Sequence, residues 1–407
     1  MEQPKPEPSK PTDSTVIIHR TGNELEYTAI PLDRNTNLLA ETANASSINC
    51  GESVKKLVHE YLDLLKSKTI SNPEPLSIEY ELGKGSQGVV YYSKCHGSDS
   101  FQLPVALKFY CPEGFGTKEK YAETMNFNAK VASAIAQIQH DSLLSVRNWF
   151  MFKDIRVMEM EWIDGYDLAR LMKNSTIDWM QKNLPEDEFA FRMNVVISPG
   201  KHHPALKTGI ALTIIRHCLD ALSALHEHGI AHGDIKPANI MLKRTGGVKI
   251  IDYGATIFYQ ETPPPENLCT PLYAAPEILQ DRKKRPTPLS DLSSLGYVLI
   301  ELLSGQIPFE IFKSDGTPVT YEDLADQKIT LIHRLNEILP NDVQRNSKLV
   351  NCLTRLIHPD LNSRFQSAKE AIVSEDGISE IYRSLVKGDL VSEYDEDIKY
   401  WIRSLRF

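Results

Sequence analysis

The chain has 407 residues, 41% of them hydrophobic and 24% charged, with a net charge of −9. That length exceeds one small core and implies two packing units with tails. The acidic balance excludes general nucleic-acid binding, which needs a basic face for the phosphates, although one cleft can carry a field opposite to the overall sign. The six cysteines (50, 95, 111, 218, 269 and 352) are scattered, without C-x-x-C pairs or zinc spacing. They read as reduced thiols of a cytosolic protein. No basic-then-apolar leader opens the chain, and the most apolar run, 297–303, is interrupted by Glu301 and too short to span a bilayer. A soluble protein without a membrane span is expected.

Residues 1–13 are rich in Pro, Glu and Lys and read as disordered; 14–50 show no sustained pattern, so 1–50 is expected to be an irregular tail. Val54, Leu57, Val58, Tyr61, Leu62 and Leu65 recur at helical spacing. They predict an amphipathic helix packed on the domain after it, with 71–75 as a linker. From Leu76 the chain turns β-rich: LSIEYEL, then Gly83-Lys84-Gly85-Ser86-Gln87-Gly88, then VVYYSK. A G-x-G-x-x-G run alone also marks dinucleotide-binding turns, but those lead into a helix, whereas 89–92 continue as a strand. A glycine hairpin lets backbone N–H groups close over a polyphosphate. Val105-Ala106-Leu107-Lys108 ends an apolar run in a lysine, and a helical stretch over 118–139 carries Glu119 and Glu123. Two strand-like runs, 146–152 and 155–161, flank a short turn.

Residues 174–207 read as an irregular insertion, and its adjacent His202 and His203, without acidic or Cys partners, as surface residues. A strong amphipathic helix over 209–228 leads into 230–254, IAHGDIKPANIMLKRTGGVKIIDYG. Asp234, Lys236 and Asn239 share a tight polar loop, and two apolar runs around a Gly-containing turn predict a hairpin that returns Asp252 to it. Two carboxylates, an amide and an amine suit Mg²⁺ and phosphate, since hard cations take oxygen ligands.

These motifs resemble the eukaryotic-type Ser/Thr protein kinase family over about 76–373, in a bacterial-like variant with HGD in its catalytic loop. The resemblance implies an α+β bilobal fold: a small β-rich lobe (76–162), a larger helical lobe (163–373) and a helical tail (374–407). It implies ATP and Mg²⁺ as cofactors and protein Ser/Thr hydroxyls as acceptors. Asp234 would accept the hydroxyl proton, Lys236 contact the transferring phosphoryl group, and Asn239 and Asp252 hold the metal. Lys108 would grip the α- and β-phosphates, with Glu123 as its helix partner. Leu82, Gly83, Lys84, Gly85, Ser86, Gln87, Gly88, Val90 and Ala106 would enclose the nucleotide. Met160 would be the gatekeeper, Glu161 to Ile163 the backbone contacts to adenine, and Asp167 a ribose contact. Thr270, Glu277, Asp291 and Arg364, in CTPLYAAPE, SDLSSLG and HPDLNSRF, would be structural supports.

Two departures stand out. Gly233 replaces the Arg that many family members carry before the catalytic Asp and that binds a phosphate, so activity is expected not to require phosphorylation at Thr256, Tyr259 or Thr262. Tyr253 replaces Phe in DFG, and its hydroxyl then needs a partner. The competing readings are a small-molecule phosphotransferase of the aminoglycoside or choline kinase type, which shares HGD but generally lacks the APE close, and a catalytically silent scaffold.

Overall fold

The computed structural model describes residues 16–21, 24–29, 52–72, 74–261, 269–281, 283–385 and 393–406. The fold is α+β. Its small lobe is a six-stranded antiparallel sheet in the order Thr69–Asn72, Glu74–Gly85, Gly88–His96, Gln102–Tyr110, Ile155–Glu161, Val146–Phe152. The strand Gln102–Tyr110 is buried continuously from Val105 to Tyr110, because this central strand is covered on both faces. Lys108 sits within that run. The helix Lys118–Ile135, capped by the Thr117 hydroxyl, turns Tyr121, Met125, Val131, Ala132 and Ile135 inward. The Tyr121 hydroxyl donates to the Tyr110 carbonyl at 3.1 Å and accepts from the Arg156 N–H, which ties helix to sheet.

Glu52–Leu65 is the expected amphipathic helix, with Val54, Leu57, Tyr61 and Leu64 buried. It packs on both Lys118–Ile135 and the strand Ile155–Glu161. The segment 71–75 corrects the linker reading: Ser71 and Asn72 pair with Pro75 and Glu74 as the first hairpin of the sheet. Pro75 stands at the start of its strand, before pairing with Gly88–His96 begins at Leu76, where the missing N–H of proline is tolerated. Two strands, Val16–Thr21 and Glu24–Ala29, form a hairpin inside the stretch read as irregular. The expectation of disorder for 1–13 lies outside the described residues.

The large lobe is organised on Thr208–Glu227 and Pro288–Ser304. Thr208–Glu227 is apolar enough and long enough to cross a membrane, with a mean hydropathy of 1.3, but 67% of that stretch is buried inside the protein. The second helix begins in a Thr287 capping box and ends at Gly305 with φ 65°. The insertion is ordered as helices Asn174–Asn183 and Glu186–Val195 and a ribbon pairing Ile197–Ser198 with Ala205–Leu206. Tail helices Ile378–Leu385 and Glu393–Arg403 pack on Thr208–Glu227 and bury Ile398, Trp401 and Ile402. Insertion and tail are joined by the buried Arg192, which donates to the Tyr400 carbonyl and the Ser404 hydroxyl and lies 4.9 Å from the Tyr400 ring centre.

Candidate active site

The polar loop before the hairpin hangs from one buried carboxylate. Asp291, inside Pro288–Ser304, accepts from the backbone N–H of His232 at 2.8 Å and of Gly233 at 2.9 Å, and its Oδ2 lies 2.9 Å from a ring nitrogen of His226. Gly233 has φ +81°, and a Cβ there would come within 2.6 Å of the Ala255 carbonyl oxygen. The conformation and the close approach both require glycine. A residue with a side chain, arginine included, does not fit this backbone.

Asp234 follows at once. Its Oδ1 accepts from the Thr270 N–H at 2.9 Å, while its Oδ2 lies 2.8 Å from Lys236 Nζ and 3.2 Å from Asn239 Nδ2. Lys236 also donates to the Thr270 hydroxyl at 2.8 Å. The hairpin pairs Ile240 with Ile250, and the Ile251 N–H donates to the Asn239 carbonyl at 2.9 Å. Asp252 is thereby delivered beside the loop, with φ 65°, a left-handed value uncommon for a residue with a side chain. Tyr253 is buried, and its hydroxyl donates to the Leu144 carbonyl at 2.8 Å, which supplies the partner the Phe-to-Tyr departure needs.

Lys108 reaches this cluster from the small lobe, with Nζ 2.7 Å from Asp252 Oδ1. Burial pulls the ammonium pKa down, but the Asp252 charge beside it prevails and leaves it raised. Burial likewise opposes ionisation of Asp252, yet Lys108, Lys236 and His232 hold its pKa down at about 2. Both groups are therefore charged at neutral pH. The carboxylate remains 40% exposed, open to a ligand.

The expected Lys108–Glu123 pair is not formed. Glu123 is exposed, and the hydrogen-bond partners of Lys108 among the described residues are Asp252 and Gln87. The reason is helical phase: with Tyr121 and Met125 buried, position 123 lies about 200° around the helix from 121. The glycine-rich run is a two-residue hairpin turn, Ser86-Gln87 between the paired Gly85 and Gly88. A Cβ on Gly88 would lie 1.9 Å from the Phe109 carbonyl oxygen, so glycine lets the turn lie against the central strand. Leu82, Gly83, Lys84 and Val90 lie on the two strands of this hairpin, and Ala106 pairs in register with Met160. The Glu161 N–H donates to the Ser145 carbonyl at 3.0 Å, so that donor is already taken; Ile163 lies in the loop beyond. Asp167 caps Leu168–Leu171 through the Arg170 N–H at 2.8 Å, which leaves Oδ2 alone for any ribose contact. Glu277 receives both Arg364 terminal nitrogens, at 2.9 and 3.3 Å.

The sequence profile of the family described as "Protein kinase domain" matches residues 76–375. The chain belongs to the protein kinase family. It is 26% identical over 242 residues to the Lactococcus lactis protein named "Probable serine/threonine-protein kinase PknB", covering 59% of this chain and 32% of that protein. It is 35% identical over 139 residues to "Dual specificity protein kinase zak2" of Dictyostelium discoideum, covering 32% and 21%. It is 27% identical over 304 residues to "Probable serine/threonine-protein kinase MARK-C" of the same organism, covering 72% and 36%. The chain thus spans about a third or less of the length of these relatives.

The oxygen donors of this kinase site suit a magnesium ion held jointly with phosphates. Among the described residues no cluster of three or more His, Cys, Asp or Glu could hold a metal alone. Asp252 supplies one ionised carboxylate, and Asn239, whose Nδ2 is engaged by Asp234, offers its side-chain Oδ1. Magnesium usually binds one or two such groups plus substrate phosphates and water.

Three supports escaped the sequence reading. Lys249 donates to the Leu143 carbonyl at 2.8 Å and to the Glu161 carboxylate, bracing the connection between lobes. Lys328 donates to the Leu272 carbonyl at 2.7 Å, with Nζ 4.0 Å from the ring centres of both Tyr297 and Phe309, and burial pushes its pKa well down. His203, read as a surface residue, is buried and lies 3.4 Å from Glu301, which accepts from the Tyr273 hydroxyl.

Proposed function

We propose that the chain transfers the γ-phosphoryl group of Mg-ATP to Ser or Thr hydroxyls of cytosolic proteins. The observation that carries this reading is the convergence of Lys108 on Asp252 at 2.7 Å beside the Asp234–Lys236–Thr270 network. In the reaction the bond from the γ-phosphorus to the ADP oxygen breaks and one to the acceptor oxygen forms. The acceptor proton passes to Asp234, which the Thr270 N–H holds in place. Lys236 would neutralise charge on the transferring group, and Lys108 would meet the inner phosphates. Magnesium, when bound, would neutralise and align the phosphate oxygens. Asn239 and Asp252 would hold it, and the 82–90 hairpin with Ala106 and Met160 would enclose the nucleotide. The pairing of Lys236 with Thr270 supports Ser/Thr over Tyr acceptors, and the five described cysteines, none in a disulfide, suit a reducing compartment.

The test is incubation of the purified chain with labelled Mg-ATP and a generic basic protein, beside a panel of small alcohols and an Asp234→Asn control. Label on Ser or Thr that vanishes in the control is expected. Label on the alcohols, or none at all, would overturn the reading.

A further inference from the structure

The Lys118–Ile135 helix presents no carboxylate to Lys108; another group holds the ammonium instead. Gln87, at the tip of the glycine hairpin, accepts from Lys108 Nζ through Oε1 at 3.0 Å. Its backbone carbonyl accepts from the Cys111 N–H at 2.8 Å, which fixes the turn against the end of the central strand. The carboxamide is seated against Gly254: a Cβ there would lie 1.8 Å from Gln87 Oε1 and 2.4 Å from Nε2. Glycine at 254 is what admits the side chain.

We propose that Gln87 is the positioning residue for Lys108, taking the place of a helix glutamate. An ammonium has three donors. Here one meets Asp252, one meets Gln87, and the third is available to a phosphate. If Asp252 turns toward a metal, Gln87 is the acceptor that keeps Lys108 extended. The hairpin tip and the lysine are thereby coupled, so that the loop covering the phosphates and the cation binding them move as one unit.

The proposal rests on the kinase reading, and its test separates the two. Binding of Mg-ATP is measured by calorimetry, independently of turnover, for wild type, Gln87→Met, Gln87→Ala and Gln87→Glu, with thermal unfolding of each without nucleotide. Wild type that binds Mg-ATP but transfers no phosphate would sink the kinase reading and leave this one measurable. Gln87→Met and Gln87→Ala are expected to weaken Mg-ATP binding about tenfold, close to 1.4 kcal/mol, at unchanged unfolding temperature. Gln87→Glu, which keeps an acceptor, is expected to stay within about threefold of wild type. Unchanged affinity in Gln87→Met would overturn the proposal. So would tighter binding in Gln87→Ala, because the carboxamide would then be an obstacle in the phosphate site.

Discussion

Gly233→Ala is the smallest change that probes how the catalytic loop is held. The native φ of +81° lies in the left-handed region, where a side chain costs about 1–2 kcal/mol. The added Cβ would sit 2.6 Å from the Ala255 carbonyl oxygen, against an ordinary contact of at least 3.4 Å, so roughly 0.8 Å of separation must be found. Both relaxations available are damaging. Moving 233 strains the Asp291 hydrogen bond at 2.9 Å, and moving Ala255 disturbs the segment just after Asp252. A misplacement near 1 Å can cost on the order of 100-fold in rate. The variant should therefore lose roughly 10- to 100-fold in kcat while unfolding only about 2–4 °C lower. Gly233→Arg should be worse and should not create a phosphate-dependent enzyme. Steady-state kinetics beside thermal unfolding make the check. Unchanged kcat in Gly233→Ala would refute the reasoning, because the loop would then tolerate the displacement.

Arg364 is 0% exposed and Glu277 12%, so Glu277→Ala leaves a buried cation and should cost about 3–5 kcal/mol. The double variant Glu277→Leu with Arg364→Met should cost clearly less than the sum of the singles in chemical denaturation. Thr256 is buried with its hydroxyl donating to the His232 carbonyl, and the Tyr259 hydroxyl contacts the His226 carbonyl at 3.4 Å. Phosphatase-treated protein should accordingly keep full activity; Thr262, the third position of that expectation, lies outside the described residues. Burial lowers the His203 pKa, but the Glu301 carboxylate outweighs it and leaves the value raised. This contribution to stability is complete below about pH 6.5 and is lost as pH rises through the folded value. The gap in unfolding temperature between wild type and His203→Gln should therefore narrow from pH 6 to 8.5. Lys328→Met removes the anchor of the Leu272 carbonyl, and should raise KM for a peptide acceptor while leaving KM for ATP unchanged.

The catalytic loop and the returning hairpin were legible because each rests on local spacing that survives folding, and the Glu277–Arg364 tie, 87 residues apart in the chain, was expected from the family resemblance alone. The Glu123 expectation failed on phase. Choosing by residue type, a carboxylate on the predicted helix, ignored which face Tyr121 and Met125 would bury, and that face excludes position 123. Lys328 left a readable trace: it falls in step with Leu324, Leu331 and Leu335, a lysine on an apolar stripe. His203 left none, since its partner Glu301 is distant in sequence and the ribbon that places it has only two residues in each strand. The 71–75 segment misled because proline composition announces loops more loudly than edge strands.

The segment after Asp252 is held by bonds made on folding. Thr256 is tied to the catalytic loop, Lys130 to Glu261 across the lobes, Thr270 to Asp234 and Lys236, and Tyr273 to Glu301. In a kinase whose loop carries arginine before the aspartate, an added phosphate supplies such ties. Here glycine forbids that arginine sterically, and the ties come from hydroxyls, backbone and an existing carboxylate. Exposed pairs such as Lys130–Glu261 are worth little alone, so the burden falls on the buried hydrogen bonds. Those do not depend on a modifying enzyme. The small lobe follows the same logic, with its own helix Glu52–Leu65 packed on Lys118–Ile135. Both parts are restrained by contacts within the chain, and regulation is expected to act on these contacts rather than through an added phosphate.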